Sequence, residues 1–298
     1  MPGAARVPGS ASSRMNDAAH ELAGLPEPLT HESPADDDYH RRFGGVARLY
    51  GAAGLARLEA ANVCVVGIGG VGSWAAEALA RNAVGRITLI DLDHIALSNT
   101  NRQIHALGDA YGRAKVEAMA ERIVAINPRC RVTQVDDFVT ADNVPDLLGA
   151  GYDYVIDAID AVRVKTAMLG WARRQGVSVI TCGGAGGQLD PTRVRIDDLA
   201  RTIQDPLLSK VRASLRKQWG FTRDPKKKFG IAAVYSDEPL QYPEPEQQAC
   251  ELDEAPSGQS AARGPQGLAC AGFGSSVAVT AVFGLVAASA VIGAIARG

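Results

Sequence analysis

A glycine-rich turn directly follows an apolar stretch, VCVVGIG, that is typical of a buried strand. Gly67, Gly69 and Gly72 have the spacing G-x-G-x-x-G, which leads into a helix whose first backbone N–H groups can bind an anion. Asp91 ends the next apolar stretch, ITLID, where a carboxylate can accept hydrogen bonds from ribose hydroxyls. These residue types in this order predict a site that holds a nucleotide by its phosphates and its ribose.

The loop after that strand places several amides around one guanidinium, at Asn99, Asn101, Arg102 and Gln103. A guanidinium is permanently charged and offers forked donors that match the oxygens of a triphosphate. A nicotinamide oxidoreductase could use the same glycine turn, but it has no evident need for this cluster. The alternative interpretation is a solvated polar loop that caps the next helix.

Strand-like and helix-like stretches alternate after the glycine turn, and this order predicts an α/β fold of the Rossmann-like, doubly wound type. We expect a mainly parallel sheet with helices on both faces, whose strands end at the ligand site. The predicted strand YDYVIDAID brings Asp157 and Asp160 to that end. Because carboxylates and phosphates repel each other, Mg²⁺ is expected between them. For Asp157, the alternative is an aspartate that caps the turn.

The composition predicts one soluble domain. The chain has 298 residues, of which 46% are hydrophobic, and a net charge of −2, so nucleic acid would have to bind a local patch. Residues 1–36 lack the apolar run of a signal peptide, and we expect them to form a disordered extension. Residues 37–298 are expected to form a single nucleotide-binding domain. Five scattered cysteines argue against a disulfide framework, and a cytoplasmic location is expected.

The C-terminal part of that domain reads as an extension of the fold. Residues 242–266 predict a mobile loop, and residues 277–296 an apolar helix long enough to span a membrane. The helix is rich in Ala, Gly, Ser and Thr rather than Leu and Phe. This favours burial inside the fold or against a second subunit over membrane association.

Residues 205–230 form a basic segment. Arg212 and Arg216 are four residues apart on one predicted helix and share a face that could follow a phosphate backbone. Trp219 and Phe221 could stack on an unpaired base. The alternative is a solvated charged face. The residues predicted to contact nucleic-acid phosphates are Arg212, Arg216, Lys226, Lys227 and Lys228.

Several strings together resemble a known superfamily. The strings GIGGVG, DLDHIALSNTNRQ, GRAKVEAM and DAID resemble the ubiquitin-activating superfamily, whose bacterial members adenylate carboxylates. More narrowly, RRFGGVARLYG, SNTNRQIHAL, GGAGGQLDPT and TIQDPL resemble the tRNA threonylcarbamoyladenosine dehydratases, over about residues 40–296. The resemblance implies ATP and Mg²⁺ as cofactors and tRNA as substrate. It also implies an acyl-adenylate that closes to a cyclic product.

The resemblance also implies roles for individual side chains. Asp160, as the second aspartate of DAID, would be catalytic and would hold Mg²⁺ against ATP, and Arg102 and Lys115 would be the other catalytic residues. Lys115 begins a predicted helix, where its ammonium could reach a phosphate as a point charge. The full set expected to bind the nucleotide is Gly67, Gly69, Gly70, Gly72, Asp91, Asp93, Asn99, Arg102, Gln103, Lys115, Asp157 and Asp160.

The cysteines and the partners complete the expectations. The sequence has no C-x-x-C motif, so the structural zinc of several relatives is not expected. Cys250 and Cys270 are the only plausible nucleophiles, although ring closure needs no thiol. A homodimer is expected. A second function, activation of a small carrier protein, stays open, as do a cysteine-desulfurase or sulfur-acceptor partner and help from a monovalent cation.

Overall fold

The computed structural model describes residues 26–29, 36–242 and 273–298. Within these ranges seven strands form one sheet: β1 (Asn62–Val66), β2 (Arg86–Ile90), β3 (Arg131–Val135), β4 (Tyr154–Asp157), β5 (Val179–Cys182), β6 (Val194–Asp198) and β7 (Ala232–Ser236). Their order is β3-β2-β1-β4-β5-β7-β6. β6 is antiparallel to β7, and all other neighbouring strands are parallel.

The helices of the described ranges are α1 (Asp36–Ala60), α2 (Gly72–Arg81), α3 (Lys115–Ile126), α4 (Val144–Leu148), α5 (Val162–Gln175), α6 (Pro206–Gln218) and α7 (Val277–Arg297). Short 3₁₀ turns lie at Leu97–Asn99, Gly108–Ala110, Pro191–Arg193 and Leu199–Arg201. Buried residues of α1, α2, α3 and α7 pack on one face of the sheet, and those of α4, α5 and α6 on the other. The predicted doubly wound α/β fold is confirmed.

The central strand β1 shows why the apolar stretch VCVV forms a strand at this place. Val63 and Val65 belong to the core on one face, and Cys64 and Val66 to the core on the other. A strand covered on both faces has a continuous apolar sequence rather than an alternating one. Chain order reverses between β1 and β4, and ligands bind at such a switch point, beyond the carboxyl ends of the strands.

Helix α7 packs inside the protein. A side chain at Gly284 would place its Cβ 2.3 Å from the carbonyl oxygen of Val71, so α7 can approach α2 this closely only with glycine at that position. Phe283 is fully buried beside it. In the described part of the chain, α7 is the one helix long and apolar enough to cross a bilayer, and 56% of its apolar window is buried in the protein. This packing supports the predicted burial.

The N-terminal prediction needs a correction at Leu29. Its N–H donates to the carbonyl oxygen of Val132 over 2.7 Å, and it accepts from the N–H of Val132 over 3.1 Å. β3 is the edge of the sheet, and its unpaired backbone groups bind this segment. The rest of the extension predicted to be disordered, except Asp36 and residues 26–28, lies outside the described residues, as does the predicted mobile loop 242–266 beyond Tyr242.

Candidate nucleotide-binding site

The glycine turn lies between β1 and α2 and touches the loop after β4. Gly67 has a φ of +87°, and its N–H donates to the carbonyl oxygen of Ile90 over 2.9 Å. A Cβ at Gly72 would lie 1.7 Å from the carbonyl oxygen of Gly67, so the turn can close only around glycine. A Cβ at Gly67 would lie 3.0 Å from the carbonyl oxygen of Ala158. The turn and the DAID string are therefore in direct contact.

Asp91, at the end of β2, binds the glycine turn through a hydrogen bond from a backbone N–H group. Its Oδ2 accepts from the N–H of Ile68 over 2.6 Å, and its Oδ1 accepts from the N–H of Asp93 over 2.8 Å. Burial raises the pKa of Asp91, while Lys115 and the two N–H donors act in the opposite direction. The carboxylate thus has a structural role in shaping the turn, at the place predicted for ribose binding.

Lys115 is the first residue of α3, as the sequence predicts, and its ammonium faces Asp93. The Nζ of Lys115 lies 2.7 Å from Oδ2 of Asp93. The lysine side chain is 7% exposed and the aspartate side chain 63% exposed. Since the partner is a solvated carboxylate, the ammonium can exchange it for a phosphate at small cost.

Arg102 lies over the glycine turn. Its Cγ and Cδ would be 3.1 and 3.2 Å from a Cβ at Gly70, so the missing side chain there makes room for the arginine stem. Its Nη1 donates to the carbonyl oxygen of Ser98 over 2.8 Å and to Oδ1 of Asn101 over 2.9 Å. The indole N–H of Trp74 donates to its carbonyl oxygen over 2.9 Å. The backbone of Arg102 is thereby fixed to α2, and its guanidinium is held by neutral groups.

The two neighbouring amides differ in role. Oδ1 of Asn99 accepts from the N–H of Ala96 over 3.0 Å and closes the 3₁₀ turn, so this oxygen shapes the loop. Gln103 is buried, and its Oε1 has no partner among the described residues. Its Nε2 would lie 3.9 Å from a Cβ at Gly69. Of the two, Gln103 has the side chain that is free to bind a ligand at the turn.

The position of Asp157 contradicts its predicted role in nucleotide binding. Its side chain is fully buried, and its Oδ2 lies 2.8 Å from Nζ of Lys165 and accepts from Oγ1 of Thr181 over 2.7 Å. Its Oδ1 accepts from the N–H of Ile159 over 3.3 Å. The carboxylate is therefore used inside the protein and does not face the crevice. The capping alternative describes it better than nucleotide binding.

Asp160 follows three residues later and is exposed. In the described ranges its carboxylate has no hydrogen-bond or ion-pair partner, so it is available to a ligand. No group of three or more His, Cys, Asp or Glu side chains that could hold a metal occurs in those ranges. One free carboxylate fits Mg²⁺, which commonly takes one or two carboxylates and completes its ligands with phosphates and water.

The basic segment separates into inward and outward cations. Nη1 of Arg212 donates to Oγ1 of Thr202, and burial lowers the pKa of this half-buried arginine. Nε of Arg216 donates to the carbonyl oxygen of Thr222 over 3.3 Å, and its guanidinium lies over the Phe229 ring. Both half-buried arginines therefore contribute to the fold, and their contact with phosphates stays a prediction. The exposed cations of the segment are Lys210, Lys217, Arg223, Lys226, Lys227 and Lys228.

Trp219 and Phe221, predicted to stack on a base, both contact other side chains of the protein. A Cβ at Gly170 would lie 2.1 Å from the indole of Trp219, so the ring packs directly on α5. Arg174 lies over the same ring, 4.4 Å from its centroid. Phe221 packs edge-on against Phe229 at 4.9 Å. Both aromatic rings are partly buried, and their stacking on a base stays a prediction.

Two buried charged residues near the site escape the sequence analysis. Lys165 reads as an ordinary helical lysine, and only its apolar neighbours in VRVKTAML indicate burial. Asp205, in TIQDPL, accepts from the N–H of Leu208 over 2.8 Å and from the N–H of Gly184 over 3.0 Å. It thus caps α6 and ties that helix to the loop GGAGG after β5.

Fold and site together define an ATP-binding domain of the Rossmann type, with Arg102 over the glycine turn, Lys115 at the start of α3 and a free carboxylate after β4. Residues 39–297 match the model of the ThiF family, and the chain belongs to this family.

The tRNA threonylcarbamoyladenosine dehydratase of Escherichia coli (strain K12) is 54% identical over 254 residues, which cover 85% of this chain and 92% of that protein. The dehydratase of Haemophilus influenzae is 49% identical and covers 86% of this chain and 94% of its own length. The crystal structure of the E. coli enzyme in complex with ATP matches with a TM-score of 0.76 at 50% identity, over 87% of this chain and 95% of that one. Both relatives carry the name that the sequence strings indicate.

Proposed function

We infer that the protein uses ATP to dehydrate threonylcarbamoyladenosine in tRNA to its cyclic form. The observation that carries this inference is the 54% identity along 92% of the E. coli dehydratase. The site agrees with it, because the crevice offers donors for phosphates and a free carboxylate.

The glycine turn and α2 bind the triphosphate. The helix N-terminus provides backbone N–H groups and the positive end of the helix dipole. Asp91, held by two N–H donors at the end of β2, is placed to accept from the ribose. Gln103 offers its unpaired amide oxygen beside the turn. These groups fix the nucleotide so that its α-phosphate is open to attack.

Arg102 and Lys115 neutralise the phosphates. Each is held by groups that a phosphate can replace: a carbonyl and an amide oxygen at Arg102, and a solvated carboxylate at Lys115. Donors that are already oriented stabilise the charge of the transition state without reorganising during the reaction. Asp160 would hold Mg²⁺, which when bound supplies charge neutralisation between the phosphate oxygens.

The chemistry then proceeds in two steps. A carboxylate oxygen of the threonyl group attacks the α-phosphate, forming the acyl-adenylate and releasing pyrophosphate. A nitrogen of the same side chain attacks the acyl carbon, loses its proton, and expels AMP as the five-membered ring closes. The net change is the loss of one water, driven by ATP.

The described cysteines have no part in these steps. Cys64, Cys130 and Cys182 are buried, and burial raises the pKa of Cys130 and of Cys182 to about 12. A thiol with such a pKa is protonated near neutrality and is a poor nucleophile. Cys250 and Cys270 lie outside the described residues.

The substrate would bind at the exposed cations of the basic segment, of which Lys226, Lys227 and Lys228 form the densest group. Their ammonium groups can contact tRNA phosphates without desolvation of the protein interior. A cytoplasmic homodimer completes the proposal. The exposed apolar side chains Val277 and Leu285 on the partly buried helix α7 support a second copy rather than a membrane as its neighbour.

Exchange of labelled pyrophosphate into ATP tests the adenylation step. We expect exchange that requires both tRNA carrying threonylcarbamoyladenosine and Mg²⁺, with AMP as the nucleotide product. The matched control is tRNA that lacks the modification. Release of ADP, or exchange that is independent of tRNA, would contradict the proposal.

A further inference from the structure

A fully buried ammonium lies directly beneath the turn that carries Asp160. Lys165, on the first turn of α5, has a side chain with 0% exposure. Its Nζ lies 2.8 Å from Oδ2 of Asp157 and donates to the carbonyl oxygen of Ile159 over 2.9 Å. A third contact, 3.5 Å long, reaches the carbonyl oxygen of Asp157. One side chain thus binds both the end of β4 and the residue that precedes Asp160.

The paired carboxylate completes the restraint. Oδ1 of Asp157 accepts from the N–H of Ile159 over 3.3 Å, so the N–H and the carbonyl of Ile159 are both held by this ion pair. Thr181 on the adjacent strand donates to Oδ2 of Asp157 over 2.7 Å. The turn after β4 is therefore fixed to β5 and α5.

Stability alone does not require an ion pair at this place. Removing two charges from water costs several kcal/mol, and apolar replacements of similar volume are often as stable or more so. The ion pair does fix the orientation of the turn after β4, which has little free space around it. A Cβ at Gly67 would lie 2.9 Å from Cγ2 of Ile159, so a shift of the turn changes the glycine turn as well.

We propose that Lys165 is a positioning residue that fixes the turn after β4, so that Asp160 faces the phosphates of ATP and their Mg²⁺. The proposal rests on the function inferred above. Lys165 itself touches neither the nucleotide nor the metal. It acts through Ile159 and Asp157.

The test is the double variant Asp157→Asn with Lys165→Met, which leaves no buried charge without a partner. The asparagine keeps the shape of the aspartate, and the methionine fills the volume of the lysine stem. We expect kcat for pyrophosphate exchange to fall by about 10- to 100-fold, as for a catalytic group displaced by about 1 Å. Titration calorimetry should show that Mg²⁺ no longer strengthens ATP binding, whereas AMP binding without Mg²⁺ changes less than about twofold.

A partly buried ion pair away from the turn after β4 provides the control. Glu77 on α2 pairs with Arg122 on α3 at 2.6 Å and with the exposed Arg81 at 2.7 Å, and the Glu77 side chain is 5% exposed. Glu77→Gln with Arg122→Met should lower the melting temperature and leave kcat and the Mg²⁺ dependence unchanged. Equal losses in the two double variants would assign Lys165 an ordinary structural role and overturn the proposal. So would an unchanged Mg²⁺ dependence in the Asp157→Asn, Lys165→Met protein.

If the double variant does not fold, Thr181→Val tests the positioning role of Lys165 instead. This nearly isosteric change removes one donor from Asp157, and we expect a two- to fivefold loss of kcat together with a raised Mg²⁺ requirement. Unaltered values in this variant would overturn the proposal. If the unaltered protein catalyses no exchange, the inferred function fails, and Mg²⁺-dependent ATP binding in the same variants still tests the role of Lys165.

Discussion

The phosphate crevice and the basic segment both present cations, but they hold them differently. In the crevice, Arg102 and Lys115 are bound by groups that a phosphate can displace, at the end of a rigid sheet. In the basic segment, Arg212 and Arg216 are engaged by Thr202, Thr222 and Phe229, and the lysines and Arg223 face solvent. A cation placed by a motif beside a strand end is available to a ligand, whereas a cation in a charge run can be part of the fold.

The largest expected effect follows from changing Asp160, the free carboxylate of the crevice. Asp160→Asn should reduce pyrophosphate exchange by about 1,000-fold, since the group proposed to hold Mg²⁺ near the developing charge is lost. The exposed position predicts an unchanged melting temperature. Retained exchange with normal Mg²⁺ dependence would remove Asp160 from the site. Asp109→Asn, which changes another exposed aspartate outside the predicted site, serves as the control.

The next prediction tests whether Arg102 acts through paired hydrogen bonds of its guanidinium or only through its positive charge. Arg102→Lys should lower kcat by about 10- to 100-fold, because an ammonium cannot make two parallel hydrogen bonds. Steady-state exchange kinetics measure this directly. A variant with wild-type kcat would show that the polar loop needs only a positive charge.

Lys115→Ala should mainly weaken ATP binding, with a smaller loss of kcat than Arg102→Lys. Calorimetry should show a larger change for ATP than for AMP if the ammonium binds the β- or γ-phosphate, which AMP lacks. The variant also frees Asp93, so Asp93→Ala with Lys115→Ala separates the lost cation from the unpaired carboxylate. Equal losses for ATP and AMP would place Lys115 elsewhere.

A smaller effect is expected in the basic segment. Changing Lys226, Lys227 and Lys228 to Gln should weaken tRNA binding and lower the slope of log Kd against log salt by roughly 2 to 3 units, at about 0.7 to 0.9 per contact. Binding titrations at several salt concentrations give the slope. Arg212→Gln with Arg216→Gln should lower the melting temperature and keep the slope. The reverse outcome would support the sequence prediction for the arginines.

The smallest expected effect is the pH dependence of the free energy of unfolding that arises from the buried His105. His105 is 3% exposed, and burial, followed by Lys115 and Arg122, lowers its pKa from 6.5 to about 4. A folded-state pKa below the unfolded value means that the neutral ring stabilises the fold above pH 6.5, and that this contribution is lost as the pH falls towards 4. Denaturant unfolding should show a slope of up to about 1.4 kcal/mol per pH unit in this window. In His105→Gln the slope should be smaller, and an equal slope would contradict the assignment.

The sequence predicts the fold and the glycine turn well, because strand periodicity and glycine spacing are local signals. It also places Lys115 correctly at the start of α3. It ranks Asp160 above Asp157 only through the family resemblance, since a spacing of three residues does not show which carboxylate meets a buried lysine. Lys165 reaches that position only through packing of α5 under the sheet.

The basic segment shows the same limit. Periodicity correctly puts Arg212 and Arg216 on one face of α6, but the groups that bind them come from other parts of the chain. The same holds for Trp219, whose ring packs on Gly170 of α5. Such long-range partners determine whether a polar side chain serves the fold or a ligand, and local sequence does not contain them.

The most direct test of the central claim is mass analysis of tRNA nucleosides after incubation with the protein. With ATP and Mg²⁺, threonylcarbamoyladenosine should lose one water, with one AMP formed for each nucleoside converted, and Asp160→Asn should give no conversion. An unchanged nucleoside mass in the presence of ATP consumption, or conversion without ATP, would contradict the account.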